Sequence, residues 1–553
     1  MSDLDLLLPK LCGADVELGN FVLGDHGPMG SGPEASQALL REMPGLPRPA
    51  ERPQPLACGC PACRAKRRGG GRSAGRGWLA RRDRQEWGRR FLPANGGCAY
   101  IDLDHLELCL PEVRSAFDHV AAWRAMLRLA QGALARANAE RPPEARLVAL
   151  VNNSDGQGSS YGGHLNVLVG RRAWQHATGR KPHHLAFFAA HLASSLVLFG
   201  QGKVGSENGA PPVAFQTSQR ADFLETLLGP QTTFRRPLVN TRDEPLAATA
   251  GGGGRPARMH VIVYDSTLCP VACLLKIGSL QLVLAMLETG RVDPRLALED
   301  PLEAVALWSH DPDLERRAPL VDGTEVTAVE LQRRFCDAAH RFAAAGEAEG
   351  VVPRAAEVLA WWGGTLDLLA ARDWAALARR LDWVLKRGLL ARLLARRPDL
   401  SWDSPEVRHL DQLYAGLDPG EGLFWSLERQ GLVEPVVPEA RIAELAVEPP
   451  ADTRAWGRAM LLRRLGAEAV VDVDWDGIEV RRPGSWLPRR IGLPDPLGAG
   501  AAELAGLLAI GGSTEELIAA LADPEPQRNG RPLGGGQLAL PVADPPHPFT
   551  RGG

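Results

Sequence analysis

The chain has little net charge and no long apolar run. Its 63 lysines and arginines nearly balance its 66 aspartates and glutamates, so the formal net charge is only −3. Such a balance gives no general argument for binding nucleic acid or a membrane. The first residues, MSDLDLLLPK, lack a basic segment ahead of the apolar one, and no apolar run reaches the roughly eighteen residues of a membrane span. These absences predict a cytoplasmic protein that binds neither nucleic acid nor a membrane.

Cysteine is sparse as well. Nine cysteines in 553 residues do not form the dense pattern of a small disulfide-bonded scaffold, so reduced thiols are expected. Cys58, Cys60 and Cys63 lie close together but have no fourth ligand nearby, and a structural zinc site normally needs four. Whether these three bind a metal stays open. They lie in a Pro-, Gly- and Arg-rich stretch at about 30–90, which is predicted to be a disordered insertion because it has too few apolar residues to fold alone.

Short alternating segments and longer helical patterns make up most of the chain. Alternation predicts strands near residues 11–23, 98–110, 147–168 and 258–264, and helical periodicity predicts helices at 113–138 and 183–198. The two kinds of element mix without a regular βαβ rhythm. The expected fold class is therefore α+β, with a curved antiparallel sheet that is backed by helices and forms a cradle.

Three regions follow from the distribution of these patterns. Residues 1–432 are predicted to form the main domain, and its helical part, from about 280 to 428, carries four tryptophans interpreted as packing residues, namely Trp361, Trp362, Trp374 and Trp383. A proline-rich break precedes a small C-terminal domain at 433–522. Residues 523–553 are rich in Pro, Gly and Arg, and are predicted to be a disordered tail.

The segment AYIDLDHLELCLPE changes phase halfway through. Apolar residues occupy odd positions before His105 and even positions after it, which suggests a bulge in one strand. Such a bulge would bring Tyr100, Asp102 and Glu107 onto one face. In the segment CGADVELGNFV, Asp15 and Glu17 are two residues apart and so share a face of another strand. Carboxylates gathered in this way indicate a Mg²⁺ site, and the alternative is an edge strand with a solvated acidic face.

Two further segments carry groups that suit an anion. The glycine-rich stretch NNSDGQGSSYGG is interpreted as a hairpin turn, and its return strand carries His164 and Asn166. Downstream, Arg220, Arg235, Arg236 and Arg242 are interspersed with acids. Arginine binds phosphate through two parallel hydrogen bonds, so these residues could hold a nucleotide. The alternatives are a hydrogen-bonded structural histidine and ordinary surface ion pairs.

The order of eight segments resembles the Pup ligase and depupylase family, which is also known through its proteasome accessory factor and deamidase-of-Pup branches. The segments are GADVELG, NGGCAYIDLDHLELCLPE, VNNSDGQGSSYGGHLN, GQGKVG, FQTSQRADF, RRPLVNTRDEP, RMHVIVYDS and VDVDW. This family belongs to the glutamine synthetase-like carboxylate-amine ligases. The resemblance implies ATP, or ADP with phosphate, and Mg²⁺ as cofactors. It also implies a Pup-like protein tag and tagged proteins as partners, with a functional link to a bacterial proteasome.

The resemblance also assigns residues by position. It implies that Asp102 is the nucleophile or base. The positions implied at the metal are Asp15, Glu17, Tyr100 and Glu107, and those expected at the nucleotide are Arg220, Arg242, His164 and Trp475.

Several features indicate the depupylase branch, and others depart from the family. Only two residues separate Asp102 from His105, and a long insertion precedes AYID, as in depupylases. The implied reaction is hydrolysis of the isopeptide between a Pup-like tag and a substrate lysine, or deamidation of the tag's C-terminal glutamine. In contrast, Cys98 replaces an arginine that contacts nucleotide, and Leu165 replaces a glutamate. The alternatives are therefore a Pup-like protein ligase and a non-catalytic, tag-binding homologue.

Overall fold

The computed structural model describes residues 7–24, 27–28, 32–46, 86–243, 256–482, 485, 487–509 and 513–522. The strands are β1 (Cys12–Gly24), β2 (Gly27–Pro28), β3 (Glu86–Phe91), β4 (Cys98–Asp102), β5 (His105–Cys109), β6 (Leu147–Leu150), β7 (Gly163–Gly170), β8 (Lys203–Val204), β9 (Phe215–Gln216), β10 (Leu224–Gly229), β11 (Arg236–Asn240), β12 (Pro256–Val261), β13 (Ala318–Pro319), β14 (Glu325–Val326), β15 (Val470–Asp474), β16 (Gly477–Val480) and β17 (Arg489–Gly492). The helices are α1 (Gly32–Glu42), α2 (Ala116–Asn138), α3 (Arg171–Gln175), α4 (Pro182–Ser194), α5 (Leu196–Phe199), α6 (Pro270–Glu288), α7 (Pro301–Ser309), α8 (Ala328–Ala344), α9 (Ala355–Ala371), α10 (Trp374–Leu377), α11 (Asp382–Arg396), α12 (Pro405–Tyr414), α13 (Leu423–Arg429), α14 (Glu439–Val447), α15 (Arg454–Ala469), α16 (Ala501–Ala509) and α17 (Thr514–Leu521).

An eight-stranded antiparallel sheet organises the main domain. Its order is β12-β7-β1-β5-β4-β3, and β2 and β6 also pair with β1. Every pair in this sheet is antiparallel, which confirms the predicted α+β class. Strands β6 and β7 pair with successive parts of β1 and so do not form the predicted hairpin, although the glycine-rich stretch between them does reverse the chain, with an antiparallel bridge between Ser154 and Ser160.

The phase change after Ile101 has a different cause from the predicted bulge. Strand β4 ends at Asp102, Leu103 and Asp104 form a two-residue turn, and β5 begins at His105. Leu103 has a φ of 52°, as tight two-residue hairpin turns require. Residues directly opposite one another in an antiparallel pair share a face, and Tyr100 lies opposite Glu107. The turn therefore brings together the same side chains that a bulge would have aligned.

The two faces of the sheet differ in chemistry. The face that carries Val16, Ile101 and Leu165 is packed into the main hydrophobic core with α2 and α6. Helix α6 has an 18-residue window of mean hydropathy 1.9, long and apolar enough to span a membrane, although no such run was expected. Lys276, Ser279 and Gln281 interrupt its apolar run, and the whole window is buried within the protein. Helix α6 is thus the central core helix.

A second hydrophobic core joins the C-terminal unit to the other face of β4 and β5. Phe91, Cys98 and Cys109 pack there with side chains of α15, β16 and β17. Helix α14, in contrast, buries Ile442 and Leu445 in the main core. The proposed boundary between residues 432 and 433 stays a prediction. Within the C-terminal unit, α15 is the first element that packs in the second core.

The predicted disordered insertion contains ordered structure at both ends. Helix α1 buries Ala35, Leu39 and Leu40 on one face, a spacing that suits an amphipathic helix, and β3 pairs with β4 at the other end. The prediction was therefore wrong for these two elements. Residues 47–85, including Cys58, Cys60 and Cys63, lie outside the described residues, as does the predicted tail at 523–553.

Candidate functional site

Three adjacent strands bring the predicted acidic residues together. Glu17 on β1 lies opposite Glu107 on β5, and Glu107 lies opposite Tyr100 on β4. Asp15 is two residues before Glu17, and Asp102 two after Tyr100, so all five share the face that points away from the main core. We call Asp15, Glu17, Asp102 and Glu107 the acidic cluster.

The carboxylates of this cluster are close enough to share one cation. Oxygens of Glu17, Asp102 and Glu107 lie within 4.8 Å of one another. Glu107 accepts a hydrogen bond of 2.6 Å from the Tyr100 hydroxyl, and Glu17 accepts one of 2.7 Å from the Gly162 N–H. Asp102 keeps its Oδ1 buried without a hydrogen-bond partner. This orphaned oxygen and the crowded acids fit a hard cation such as Mg²⁺, which prefers oxygen ligands.

The pKa values of the acids reflect how closely the carboxylates lie to one another. Burial raises the pKa of Glu107 well above its usual range, and the charges of Asp15, Glu17 and Asp102 raise it further. Burial, followed by the charge of Glu17, raises the pKa of Asp102 to about 7. Like-charged acids in a partly dry site cannot all ionise unless a positive charge joins them.

A second cluster, of arginines, lies beside the acids. The pKa of His164 is held well below its usual range by burial and then by Arg220, Arg236, Arg258 and Arg242, which we call the basic cluster. The ring of His164 is also 4.0 Å from Glu17, so this neutral histidine lies at the border between the two clusters.

Hydrogen bonds of Asn166 and His260 connect the strands that carry the two clusters. The Asn166 amide donates a hydrogen bond of 2.9 Å to Asp15, and its oxygen is 2.8 Å from an Arg258 nitrogen. The Nδ1 atom of His260 is 2.8 Å from the same oxygen. Asn166 therefore links β1, β7 and β12, and fixes an acid and an arginine relative to each other.

Arg220 is the most unusual member of the basic cluster. Arg220 is 1% exposed, and none of its three guanidinium nitrogens has a hydrogen-bond partner among the residues that the structure describes. Burial lowers its pKa to about 10. A buried, unpaired guanidinium is costly, and an anion that accepts its hydrogen bonds would remove that cost.

Trp475 lies in the C-terminal unit rather than on the main sheet. It occupies the turn between β15 and β16, with its ring 5.2 Å from that of Phe91 and 4.8 Å from the Arg458 guanidinium. Arg89 links this unit to the acidic side, because it is 3.1 Å from Asp474 and its guanidinium lies 5.4 Å from the Tyr100 ring centre.

The structure brings most of the sequence-predicted site residues together, but not all of them. It brings Asp15, Glu17, Tyr100, Asp102 and Glu107 into one cluster, with His164 at its edge. Arg220 and Arg242 act on that cluster through their charge, and Trp475 belongs to the adjoining C-terminal unit.

Sequence reasoning missed Arg89, Arg258 and His260. The segment RMHV alternates polar and apolar residues, so Arg258 and His260 share a face of β12 and could have been found by their period of two. Arg89 gave no such signal, because it lies at an irregularity in the pairing of β3 with β4.

An antiparallel sheet that gathers carboxylates beside buried arginines suits an enzyme that handles an anionic ligand together with a divalent cation. Residues 64–479 match the family described as Pup-ligase protein. The Pup deamidase/depupylase of Mycolicibacterium smegmatis is 35% identical over 433 residues, which cover 78% of this chain and 83% of that relative. The Pup–protein ligase of Corynebacterium aurimucosum is 33% identical over 401 residues, covering 71% and 82% respectively.

Solved structures agree. The ligase PafA in complex with ADP shares 26% identity with a TM-score of 0.65, covering 86% of this chain and 97% of PafA. PafA in its complex with the prokaryotic ubiquitin-like protein Pup has a TM-score of 0.71 at 24% identity, covering 93% and 92%. The chain belongs to the Pup ligase and depupylase family.

Proposed function

We propose that the protein is an ATP- and Mg²⁺-dependent hydrolase of Pup-like protein tags. It would cleave the isopeptide between the tag and a substrate lysine, or deamidate the tag's C-terminal glutamine. The carrying observation is Asp102, whose buried Oδ1 has no hydrogen-bond partner and which lies within the acidic cluster.

Both cofactors fit the residues present. Asp15, Glu17 and Glu107 would hold Mg²⁺, with the Tyr100 hydroxyl orienting Glu107, and Asp102 would stay available for the reaction. Arg220 and Arg242 would bind the nucleotide's phosphates, and Trp475 would lie against its base. When bound, Mg²⁺ would supply positive charge that polarises a carbonyl and offsets the negative charge of the acids and of the nucleotide's phosphates.

Asp102 would carry the bond-breaking step. It either attacks the carbonyl carbon of the tag or takes a proton from a water that attacks instead. In both cases the carbon–nitrogen bond breaks, the departing nitrogen gains a proton, and one water is consumed. Hydrolysis of the isopeptide releases the lysine amine, and deamidation releases ammonia.

Two observations favour hydrolysis over ligation. The two residues between Asp102 and His105 form the tight β4–β5 turn, so the shorter spacing of the depupylase branch corresponds to a defined hairpin. The Pup deamidase/depupylase relative is 35% identical, as is the depupylase of Acidothermus cellulolyticus over 427 residues, 77% of this chain and 82% of the relative.

The departures from the family leave the acids intact. Leu165 faces the main core, whereas its neighbours His164 and Asn166 face the acids, so the replacement removes no group from that face. Cys98 is buried in the second core. Arg89, beside Tyr100, would supply the positive charge that an arginine at position 98 gives other family members.

The test incubates the full chain with ATP, Mg²⁺ and a Pup-like protein that either is linked to a lysine substrate or ends in glutamine. Mass spectrometry should detect the released substrate or the deamidated tag. Asp102→Asn keeps the shape of the side chain but removes its charge, and should slow the reaction by roughly 10²- to 10⁴-fold. Asp104→Asn, at the exposed second residue of the same turn, is the matched control and should retain activity.

Three other results would contradict the proposal. ATP-dependent attachment of the tag would select the ligase. A protein that shows a higher melting temperature with ATP and Mg²⁺ but produces no mass change with any tag would be the non-catalytic homologue. Equal activity of Asp102→Asn and wild type would exclude Asp102 as the reacting group.

A further inference from the structure

A groove on the helical part of the molecule has no role in the proposed hydrolysis. It lies between α10, α11 and α13, encloses about 480 Å³, and no strand of the main sheet lines it. Trp383 is buried at its base, Leu427 forms a wall, and Leu432 at its edge is 42% exposed. Apolar side chains that remain accessible in this way mark surfaces that bind other molecules.

The rim of this groove is basic. Arg379, Arg387 and Arg392 line it, and no acidic residue does. Arg387 is 2.8 Å from Asp313, whereas Arg379 donates its 3.0 Å hydrogen bond to the carbonyl of Gly431. In the part of the chain that the structure describes, Arg379 and Arg392 form no ion pair, so two guanidinium charges at the rim are uncompensated.

The shape of the groove suits a helix. Gly388 and Ala391 on α11 leave room for another backbone to approach, and a Cβ at Gly388 would meet nothing within 4 Å. Amphipathic helices bind such grooves with apolar side chains spaced three or four residues apart. Tryptophan and arginine are also the side chains that contribute most to binding energy in interfaces.

We propose that this groove docks an acidic amphipathic helix of a partner protein. Its leucine-like side chains would contact Trp374, Leu427 and Leu432, and its carboxylates would pair with Arg379 and Arg392. Charge complementarity selects this occupant, because a basic or neutral helix would leave both guanidinium groups unpaired. The inference is independent of the tag and of Asp102.

The test uses a labelled synthetic peptide with leucines at helical spacing and glutamates elsewhere, followed by fluorescence anisotropy with the full chain. A second peptide carries glutamine in place of every glutamate. We expect the acidic peptide to bind at least about tenfold more tightly than the neutral one, a difference of about 1.4 kcal/mol. Raising the salt to about 1 M should remove most of that preference, because the screening length falls to about 3 Å.

Variants at the groove separate docking from loss of folding. Gly388→Leu fills the open space and should weaken peptide binding at least about tenfold, whereas Gly388→Ala improves helix propensity and should bind as wild type does. Arg379→Glu and Arg392→Glu should each weaken the acidic peptide, and Arg396→Glu, on the same helix but outside the groove, is their control. Melting temperatures verify that all variants fold.

Three outcomes would overturn the proposal. One is equal binding of the acidic and neutral peptides, and another is unchanged binding by Gly388→Leu. The third is a different occupant. A dimer in sedimentation that Gly388→Leu abolishes would assign the groove to a second copy, and tighter binding by a peptide of residues 523–553 would assign it to this chain's own terminus.

Discussion

Glu107 and Glu112 lie five residues apart and are both buried, at 4% and 9% exposure, but their surroundings have opposite charge. Glu107 faces Asp15, Glu17 and Asp102, and its pKa lies well above its usual range. Burial alone would also raise the pKa of Glu112, but the guanidinium groups of Arg458 and Arg454 outweigh it and bring the pKa down to about 2. Burial favours the neutral form of both acids, and the arginines beside Glu112 reverse that tendency.

The junction at Glu112 and the acidic cluster differ in whether the chain itself supplies the positive charge that balances their carboxylates. Glu112 is 2.7 Å from Arg454 and 2.5 Å from Arg458, so the junction between the main sheet and α15 is neutralised by the chain itself. Among the described residues, Glu107 has no cationic partner and accepts hydrogen bonds from two neutral groups, the Tyr100 hydroxyl and the Cys109 thiol. The junction therefore serves the fold, whereas a bound cation would balance the acidic cluster under the function proposed above.

The largest expected effect comes from Glu112→Gln. The substitution removes the carboxylate that pairs with the buried Arg454 and Arg458, and breaking a buried pair in this way costs about 3–5 kcal/mol. Urea denaturation should show this loss in the free energy of unfolding. The control is Glu448→Gln, which removes a more exposed pair with Arg463 and should cost less than about 1 kcal/mol. Equal losses in the two variants would contradict the comparison.

The pH dependence of stability should follow from the same contrast. Glu112 has a folded pKa of about 2 against a usual value of 4.5, so its contribution is complete above about pH 4.5 and is lost as the pH falls towards 2. A difference of that size corresponds to about 3 kcal/mol. The free energies of unfolding of wild type and Glu112→Gln, plotted against pH, should therefore converge between pH 4.5 and 2. Parallel curves would mean that Glu112 is not the titrating group.

Local patterns in the sequence predicted the acidic cluster well. The period of two placed Asp15 with Glu17, and the phase change placed Tyr100 and Asp102 with Glu107. The mechanism of that change was wrong, because a slip by a bulge and a reversal by a two-residue turn give the same parity along the chain. Only the pairing of β4 with β5 distinguishes the two, and Leu103 and Asp104 lack the Asn-Gly or Asp-Gly signal that marks a two-residue turn.

The sequence did not predict the junction or the helical groove, because both depend on contacts between distant parts of the chain. Glu112 pairs with arginines more than 340 positions away, and no local pattern marks such a partner. The helix α1 was hidden by composition, since its short apolar face adjoins a long Pro- and Gly-rich stretch. The predicted packing role of Trp362 and Trp383 is confirmed, because both are fully buried.

The smallest expected effect is opposite in sign to that at Glu112. Glu107→Gln keeps an oxygen that accepts from Tyr100 and replaces a buried carboxyl whose raised pKa costs stability at neutral pH, so the ligand-free protein should gain about 1 kcal/mol there. The same variant should lose most of the rise in melting temperature that we expect Mg²⁺ with ADP to give to wild type, because a ligand stabilises by binding the native state. Asp104→Asn, in the adjacent turn, should change neither quantity. Destabilisation of the ligand-free Glu107→Gln protein would show that this acid is already compensated, and the contrast with Glu112 would then fail.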